Sequence, residues 1–289
     1  MELGHNIMHG QWDWMHDPEI QSNTWEWDTA CPSDQWKHSH NVVHHTWTNV
    51  LGKDPDVGYG LLRVTRHQKW HPKYLLQPIS NFFLFILFQW GVAVHDLQFE
   101  RLLSGEKKLS AVMPMLRRIG WKVARQLRKD YVLWPALGAL LVLPSAWLFG
   151  ASLLNAALTA FATVVVGNLF GNLLRNMWSN AIIFCGHFSA GVHHFTKEDV
   201  VNETRAQWYA RQLLGSCNIG GGKLFHVISG NLSHQIEHHL FPDMPSNRYP
   251  EVAPRVRALA ARYGLPYNTG SFTHQFGTTT LTIWRLALP

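Results

Sequence analysis

YVLWPALGALLVLPSAWLFG (residues 131–150) and SLLNAALTAFATVVVGNLFGNLLRNMW (residues 152–178) are the two most continuously apolar stretches of this chain. Each holds about 20 or more residues, mostly Leu, Ala, Val and Phe with few charges, which is enough for a helix to cross a hydrocarbon core of ~30 Å. The connection at Gly150 and Ala151 is so short that we predict a helical hairpin whose ends emerge on the same side. The pattern predicts an all-α integral membrane protein with a transmembrane hairpin.

A basic segment precedes this hairpin. Residues 101–129 contain nine Lys or Arg and one acidic residue, Glu106, within a chain of net charge +6. Lys and Arg accumulate on the cytoplasmic side of membrane proteins, so both hairpin ends are expected to face the cytoplasm. Because the segment lies between apolar stretches, membrane lipid headgroups are its expected partner and nucleic acid is not.

A third apolar stretch, residues 75–94, is interrupted by Pro78, Asn81 and Gln89. Histidines before residue 50 and histidines after residue 230 can bind the same metal only if they lie on the same side of the membrane. An even number of membrane crossings must therefore separate them. We therefore expect this stretch to be an interfacial or re-entrant helix, which leaves two crossings. The expected organisation is one domain (1–289), with a polar first part (1–73), the interfacial helix (75–94), the hairpin (131–178) and a cytosolic helical part (179–289).

Several of the 18 histidines fall into three boxes. The first is HxxxH, at His5 and His9, a spacing expected about once per chain by chance at this histidine frequency. The other two are HxxxHH, for which the chance expectation is only ~0.07 per chain. They comprise His40, His44 and His45, and His234, His238 and His239. Boxes two and three therefore indicate a metal site.

Helical geometry relates these spacings to metal binding. Residues i and i+4 share a helix face, whereas i and i+1 point ~100° apart, so a HxxxHH box can reach two neighbouring metals. Nitrogen ligands without thiolates argue against iron–sulfur clusters, copper(I) and structural zinc, and leave iron or catalytic zinc. Eight or more converging histidines indicate two metal ions, because zinc needs only three or four ligands.

Further polar residues near the boxes are candidates for the same site. His187 follows the second apolar stretch and is expected to complete the ligand set. His226 precedes box three by two helical turns and is expected to be a ligand or to support one. Either role is also open to four others: Asn180, Asn231, Gln235 and Glu237.

The remaining histidines and the cysteines are not expected at the site. His193 and His194 are expected to form a solvated pair, and His95 to be structural. The three cysteines are far apart and include no CxxC pair, so they predict neither a disulfide framework nor a zinc site and fit a reducing, cytoplasm-facing compartment.

The boxes and their flanks resemble the membrane fatty acid desaturase family, particularly its bacterial and actinobacterial acyl desaturases. The resemblance rests on GHNIMHGQ (4–11), HNVVHHTWTN (40–49), CGHF (185–188) and GNLSHQIEHHLFPDMPSNRY (230–249). It implies a di-iron centre, dioxygen as co-substrate, and removal of two hydrogens from a long acyl chain carried by coenzyme A or a lipid. Electrons would come from a separate ferredoxin or cytochrome b5 type donor with its reductase.

The resemblance also assigns iron ligands. They are His5, His9, His40, His44, His45, His187, His238 and His239. At the first position of box three the family has His or Gln, so His234 or Gln235 takes it. We favour His234, because imidazole is the better iron donor.

One departure from the family concerns the start of the chain. Family members normally carry a transmembrane hairpin before box one, whereas box one here begins at residue 5, so the chain is expected to be N-terminally truncated. The basic segment, or the helix around Arg255, Arg257 and Arg262, is expected to dock an acidic donor or a substrate headgroup.

Two alternative functions stay open. Hydroxylases and monooxygenases of lipids or alkanes use similar boxes, so C–H hydroxylation is the close alternative. A histidine-rich membrane protein that transports or stores metal is the distant one, because its ligands should lie within spans. The apolar stretches at 131–150 and 152–178 contain no histidine.

Overall fold

The computed structural model describes residues 1–95, 97, 102 and 105–289 and is mostly helical, as predicted. The α-helices, in chain order, are α1 (Glu2–Met8), α2 (Ser33–Trp36), α3 (His45–Trp47), α4 (Gln77–Ile86), α5 (Phe88–His95), α6 (Leu109–Arg128), α7 (Trp134–Leu141), α8 (Leu143–Leu148), α9 (Leu153–Phe188), α10 (Arg205–Leu214), α11 (Lys223–Ile228), α12 (Gln235–Leu240), α13 (Tyr249–Arg262) and α14 (Phe272–Leu286). Two short strands, β1 (Asn218–Gly220) and β2 (Thr269–Ser271), pair in parallel.

Shorter helical pieces connect these elements. Two are π-helical, Lys37–His44 and Lys129–Leu133. The others are 3-10 turns: Asp13–Met15, Val57–Gly60, Pro72–Leu76, Glu198–Val200 and Ser246–Arg248.

Two helical rods are long and apolar enough to cross a membrane. The first, Leu109–Leu148, runs through α6, α7 and α8 over 40 residues, with a mean hydropathy of 1.6 in an 18-residue window. The second is α9, with 36 residues and a mean hydropathy of 1.8. At about 1.5 Å per residue, both exceed a hydrocarbon core of ~30 Å, so each has a length of helix to spare outside it.

The two rods pack side by side as a hairpin. Gly150 takes the left-handed conformation that the tight connection requires (φ 63°). A Cβ atom at Gly138 would lie 2.9 Å from a valine methyl of α9, so this glycine permits close approach. Asn168 donates to the backbone oxygen of Asp130 (2.6 Å), and Asn172 donates to its carboxylate (3.1 Å). These polar contacts fix the register of the hairpin.

The third apolar stretch does not form a straight span. The segment Pro72–Ile86 and helix α5 are bent by 101° relative to each other. Phe82 and Phe83 on α4 are more than half exposed, whereas Phe88 and Ala93 on α5 are fully buried. The bend therefore separates an exposed apolar helix from one that packs into the core, a geometry suited to an interfacial segment.

Two apolar cores hold the helices of boxes one and three. The first joins α1, α2, α5 and α6 and contains Met8, Trp27, Trp36, Ala93, Val112 and Ile119. The second joins α10, α12 and α13 and contains Leu213, Ile236, Val256 and Ala260. Burying one such large apolar side chain stabilises the fold by roughly 1.5–3 kcal/mol, so these contacts position short helices that are too small to be stable alone.

The basic segment is folded against an acidic loop. Three ion pairs connect them: Arg118 to Asp34, Lys122 to Glu26, and Lys129 to Asp28. Arg117, Arg125 and Arg128 remain exposed on α6. Arg101, where the predicted basic segment begins, lies outside the described residues. Part of the segment's positive charge is therefore already paired with acidic residues of the same chain.

Labelling with a membrane-impermeant maleimide tests the hairpin. Ala151→Cys places a thiol at the exposed connection, and Glu251→Cys places one on the exposed surface of α13. If the hairpin crosses twice, the two thiols label from opposite sides of sealed vesicles. The native cysteines are buried and should stay unlabelled in the parent protein. Labelling of both variants from one side would contradict the two-crossing topology.

Candidate metal centre

Helix α1 carries box one with both histidines on one face. His5 and His9 are nearly buried, and their ring centroids lie 4.6 Å apart, as the i, i+4 spacing predicts. Asn6, between them, donates to the backbone oxygen of Gly230 (2.9 Å) and to the hydroxyl of Ser246 (3.1 Å). These bonds tie α1 to the segments that flank box three.

Box two lies on the π-helical segment Lys37–His44, which continues directly into α3. The amide of His45 donates to the carbonyl of His40, the i→i+5 bond of a π turn. The rings of His40 and His44 stack on each other (centroids 5.1 Å apart), and that of His45 stacks on His239 (4.5 Å). The π turn thus sends the box-two histidines to different parts of one cluster.

Box three and His187 complete the cluster. His238 and His239 on α12 are each 1% exposed. The side chain of Asn218 in β1 accepts from the amide of Ile236 (2.9 Å) and fixes the first turn of this short helix. His187 comes from the last turn of α9, and its Nε2 lies 3.2 Å from Nε2 of His239. The end of the hairpin therefore meets box three.

The clustered histidines fall into groups in which one ligand atom of each residue lies within 4.8 Å of the others. One group consists of His5, His9, His40 and His238. A second consists of His44, His187 and His239, and a third joins His45 to His238 and His239. Because the groups overlap at His238 and His239, the arrangement fits two adjacent metal ions better than one.

The imidazole nitrogens themselves fit a metal. Nε2 of His9, both ring nitrogens of His45 and Nε2 of His238 are buried and have no hydrogen-bond partner among the described residues. Nε2 of His5 and Nε2 of His40 face each other at 3.1 Å. Buried polar atoms without partners are costly, and a bound cation removes that cost. Imidazole nitrogen is a ligand type that iron accepts, so these residues fit the expected ions.

Burial keeps most of these rings neutral. It is the main cause that lowers the pKa of His5 to about 3, and with neighbouring histidine charges it lowers that of five others well below the usual value: His9, His40, His45, His238 and His239. His44 differs, because Asp54 and Asp56 outweigh the effect of burial and raise its pKa to about 9. Neutral imidazole is the form that binds metals.

Three side chains outside the cluster orient its rings through Nδ1. The pairs are His44 with Asp54 at 2.9 Å, His239 with Gln212 at 3.2 Å, and His238 with the Tyr249 hydroxyl at 3.3 Å. Asp54 is itself buried and accepts from the backbone amides of Asn49 and Asp56. With Nδ1 engaged, Nε2 is the nitrogen that remains for a metal in each of these rings.

A cavity lies against one side of the cluster. Its polar wall includes His5, His40, His44, His187 and His238, and its apolar wall includes Trp27, Trp36, Tyr59, Val92, Ile182 and Phe188. Asp56 and His95 also line it and pair with each other at 3.2 Å. The cavity has a volume of about 50 Å³, so it is a small apolar space beside convergent polar groups, well below the ~300–1,000 Å³ of ordinary ligand pockets.

His234 does not join the cluster. It precedes α12 with non-helical angles (φ −99°, ψ 60°), so its side chain does not follow the i, i+4 geometry that the HxxxHH spacing predicts. Its ring packs against His226 (centroids 4.7 Å apart). Gln235 lines the cavity instead and packs closely against Gly186. The structure thus places Gln235, and not the expected His234, beside the cluster.

The remaining candidates from the sequence also lie apart from the cluster. Glu237 points toward β1 and accepts from Asn218 (2.7 Å) and the Tyr267 hydroxyl (2.8 Å), and burial raises its pKa. Asn180 is buried on α9, and Asn231 donates to the hydroxyl of Ser246, which follows box three. Neither asparagine is among the described residues that line the cavity.

Sequence reasoning missed the polar residues that follow box two. Asp54 and Asp56 contact His44 and His40, and His95, expected to be structural, pairs with Asp56 in the cavity wall. The sequence feature that could have indicated them is the pair of carboxylates in KDPD, the first of which, Asp54, follows His44 by ten residues.

Comparison with known proteins gives the same family as the boxes. The chain matches the fatty acid desaturase family over residues 1–271. This chain belongs to that family. It is 48% identical, over all 289 residues, to the NADPH-dependent stearoyl-CoA 9-desaturase of Mycobacterium tuberculosis and covers 64% of that protein. No solved structure matches this desaturase-family chain.

More distant desaturases share parts of the chain. The acyl-lipid (7-3)-desaturase of Rebecca salina is 30% identical over 240 residues, which are 80% of this chain and 48% of that protein. Human fatty acid desaturase 3 is 41% identical over 81 residues, 28% of this chain and 18% of that protein. The chain thus spans less than two thirds of the length of these relatives.

Metal content distinguishes His238 from His234. His238→Ala removes a donor that two groups share, so the purified variant should lose most of its bound metal. His234→Ala, which removes a ring outside the cluster, should keep the metal content of the parent protein. Inductively coupled plasma mass spectrometry gives both values. Equal loss in the two variants would contradict the placement of His234 outside the histidine cluster.

Asp54 tests the role of the outer partners. Asp54→Ala leaves Nδ1 of His44 without its acceptor and should weaken metal affinity by about 10–100-fold, as measured in competition with a chelator. Asp34→Ala, which removes an exposed carboxylate bonded to Arg118, is the control and should bind as the parent does. An unchanged affinity in Asp54→Ala would show that the ring is held by packing alone.

Proposed function

We propose that this chain is the catalytic part of an oxygen-dependent di-iron fatty acyl desaturase that introduces a C=C bond into a long acyl chain, carried by coenzyme A or a lipid. The observation that carries the proposal is the convergence of eight histidines from four distant segments into one buried cluster, five of which line an apolar cavity. The names of the relatives support it, since each names a desaturase.

In this proposal the histidine groups hold the two irons. His5, His9, His40 and His238 hold one ion, and His44, His187 and His239 hold the other, with His45 between the two groups. The bound irons would supply the redox and dioxygen chemistry needed to remove two hydrogens from an unactivated chain. Asp54, Gln212 and Tyr249 hold the ring nitrogens in place for that chemistry.

The cavity holds and orients the short part of the acyl chain that lies beside the histidine wall. Its apolar walls, with Trp27, Trp36 and Ile182, exclude water and hold methylene groups beside the histidine wall. Positioning matters because reacting atoms must approach closely before a C–H bond can break. In the membrane, the rods Leu109–Leu148 and Leu153–Phe188 form the transmembrane hairpin, and the metal centre faces the cytoplasm.

Expression in a desaturase-deficient host tests the proposal. The parent protein, expressed from its complete natural coding sequence, should produce unsaturated acyl chains that gas chromatography of the host lipids detects. His187→Ala should abolish them, because His187 is in the second metal group, whereas His193→Ala removes an exposed ring and should leave them unchanged.

Three results would overturn the proposal. Unchanged lipids with iron-loaded parent protein would exclude desaturation of the host's acyl chains. Hydroxylated chains would favour the related monooxygenase reaction. Purified protein that contains zinc and no iron would reject the di-iron centre and favour metal binding for another purpose.

A further inference from the structure

The metal cluster has one side that does not face the cavity. The described residues that line the cavity include His5, His44 and His238 but neither His45 nor His239. His45 is 5% exposed, yet the next residue, Thr46, lies on the protein surface. The cluster is therefore one residue beneath the surface on this side.

Hydrogen bonds connect that surface to the rings of box two. Nε1 of Trp208 on α10 donates to the backbone oxygen of Thr46 (3.2 Å), the residue that follows His45. One hydrogen bond and the backbone of Thr46 thus separate a partly exposed indole from the clustered residue His45. Thr46 and Trp208 line the same surface groove, together with Trp47 and Arg205.

A second connection leads to box three. Arg211, which is buried, donates to the backbone oxygens of Thr46 (2.9 Å) and Thr48 (3.2 Å). The hydroxyl of Thr48 lies 3.2 Å from Nδ1 of His239, which also contacts Gln212. Helix α10 therefore joins the groove to the backbone around His45, through the exposed Trp208 bond and buried bonds of Arg211 and Gln212, and joins it through Gln212 to the ring of His239.

One cation lines this groove, and two others lie near it in the chain or against its wall. Nζ of Lys53 lies 3.6 Å above the ring of Trp47, and the guanidinium of Arg205 lies 4.2 Å above that of Trp208. Lys197 is exposed beside Gly52. None of these three cations forms an ion pair with the described residues, in contrast to Arg118, Lys122 and Lys129 of the basic segment.

Two of the three nearby acidic side chains, Glu203 and Asp199, are already engaged within the chain. Glu203, in the groove wall, pairs with buried Arg211 through two hydrogen bonds (2.7 and 2.8 Å). Asp199 accepts from the amide and hydroxyl of Thr196 within a turn. Glu198 is the exposed acid of the same turn. The side chains left to contact a partner are mainly aromatic and cationic.

We propose that this groove, lined by Thr46, Trp47, Arg205 and Trp208, is together with the neighbouring cations Lys53 and Lys197 the docking surface for a protein electron donor, and we call it the donor surface. The partner is a small one-electron carrier with acidic residues around its cofactor. The inference rests on the proposed function, which requires two electrons and two protons to reduce dioxygen to two waters as two hydrogens leave the acyl chain. Two carrier molecules are each oxidised by one electron.

The electrostatics suit such a partner. Complementary charge raises association rates by 10–10³-fold at low salt, and small mixed interfaces are typical of transient redox encounters. Electrons that enter through Trp208 and Thr46 reach His45 without crossing the cavity, so carrier and substrate can bind together.

Charge reversal tests the donor surface. The triple variant Lys53→Glu, Lys197→Glu, Arg205→Glu is compared with Arg117→Glu, Arg125→Glu, Arg128→Glu, which reverses three exposed charges on α6. Two probes are used, a [2Fe–2S] ferredoxin and the haem domain of cytochrome b5. Stopped-flow absorbance follows oxidation of each reduced carrier by the iron-loaded protein, and biolayer interferometry measures carrier binding without turnover.

The donor-surface triple variant should lower the second-order rate by about 10-fold or more at low ionic strength and weaken carrier binding, and its rate should lose most of its salt dependence. The α6 variant should behave as the parent protein. Reduced methyl viologen needs no docking site, so it should reduce all three proteins equally.

Other outcomes would overturn the inference. A larger effect of the α6 variant would move docking to the basic segment, and equal effects would show a general dependence on net charge. If viologen reduces the parent and neither carrier does so faster, a protein carrier at this surface is rejected. Failure of the viologen reaction itself, or of iron loading, would instead count against the proposed function.

The proposed electron route from Trp208 through Thr46 to His45 can be tested separately from docking. Trp208→Phe keeps an aromatic ring in the groove and removes the bond to Thr46. Carrier affinity should fall only slightly, because an aromatic ring remains in the groove, while the electron-transfer rate at saturating carrier should fall by a larger factor. Weaker affinity with an unchanged saturated rate would contradict the route through Trp208.

Discussion

The burial of eight imidazole rings against one another is the constraint on which the rest of the structure depends. Five histidine rings surround His45, with centroids 4.5–5.6 Å from its own, yet neither of its nitrogens has a hydrogen-bond partner in the described part of the chain. Each such buried polar group costs about 1–3 kcal/mol until a ligand satisfies it. The surrounding scaffold must therefore hold the rings together before a metal can.

The scaffold meets this requirement with a different device on each segment. The amide of Asn6 ties α1 to the flanks of box three, a π turn spreads the rings of box two, and Asn218 fixes the start of α12. Helix α12 has only six residues and depends on the core around Ile236. The metal site is consequently sensitive to packing far from any ligand, because short helices gain their stability from tertiary contacts.

Local patterns could be read from the sequence, and contacts between distant segments could not. The two spans, the broken third stretch and the box histidines follow from hydropathy and spacing. By spacing alone, His234 is a member of the HxxxHH box. In the structure α12 begins one residue later, and the ring of His234 packs against His226. The partnership of Asp54 with His44, and the ion pairs that hold α6 to residues 26–34, depend on side chains that only the folded chain brings together.

The two sides of the cluster have different chemical requirements. On the cavity side, water must be excluded so that an apolar chain can lie beside the histidine wall. On the other side, an electron needs a short route from a charged, hydrated surface. One buried residue layer, with Thr48, Arg211 and Gln212, separates the two environments and bonds to His239 and to the backbone around His45. A donor that docked over the cavity would compete with substrate, whereas one that docks behind His45 leaves the cavity closed.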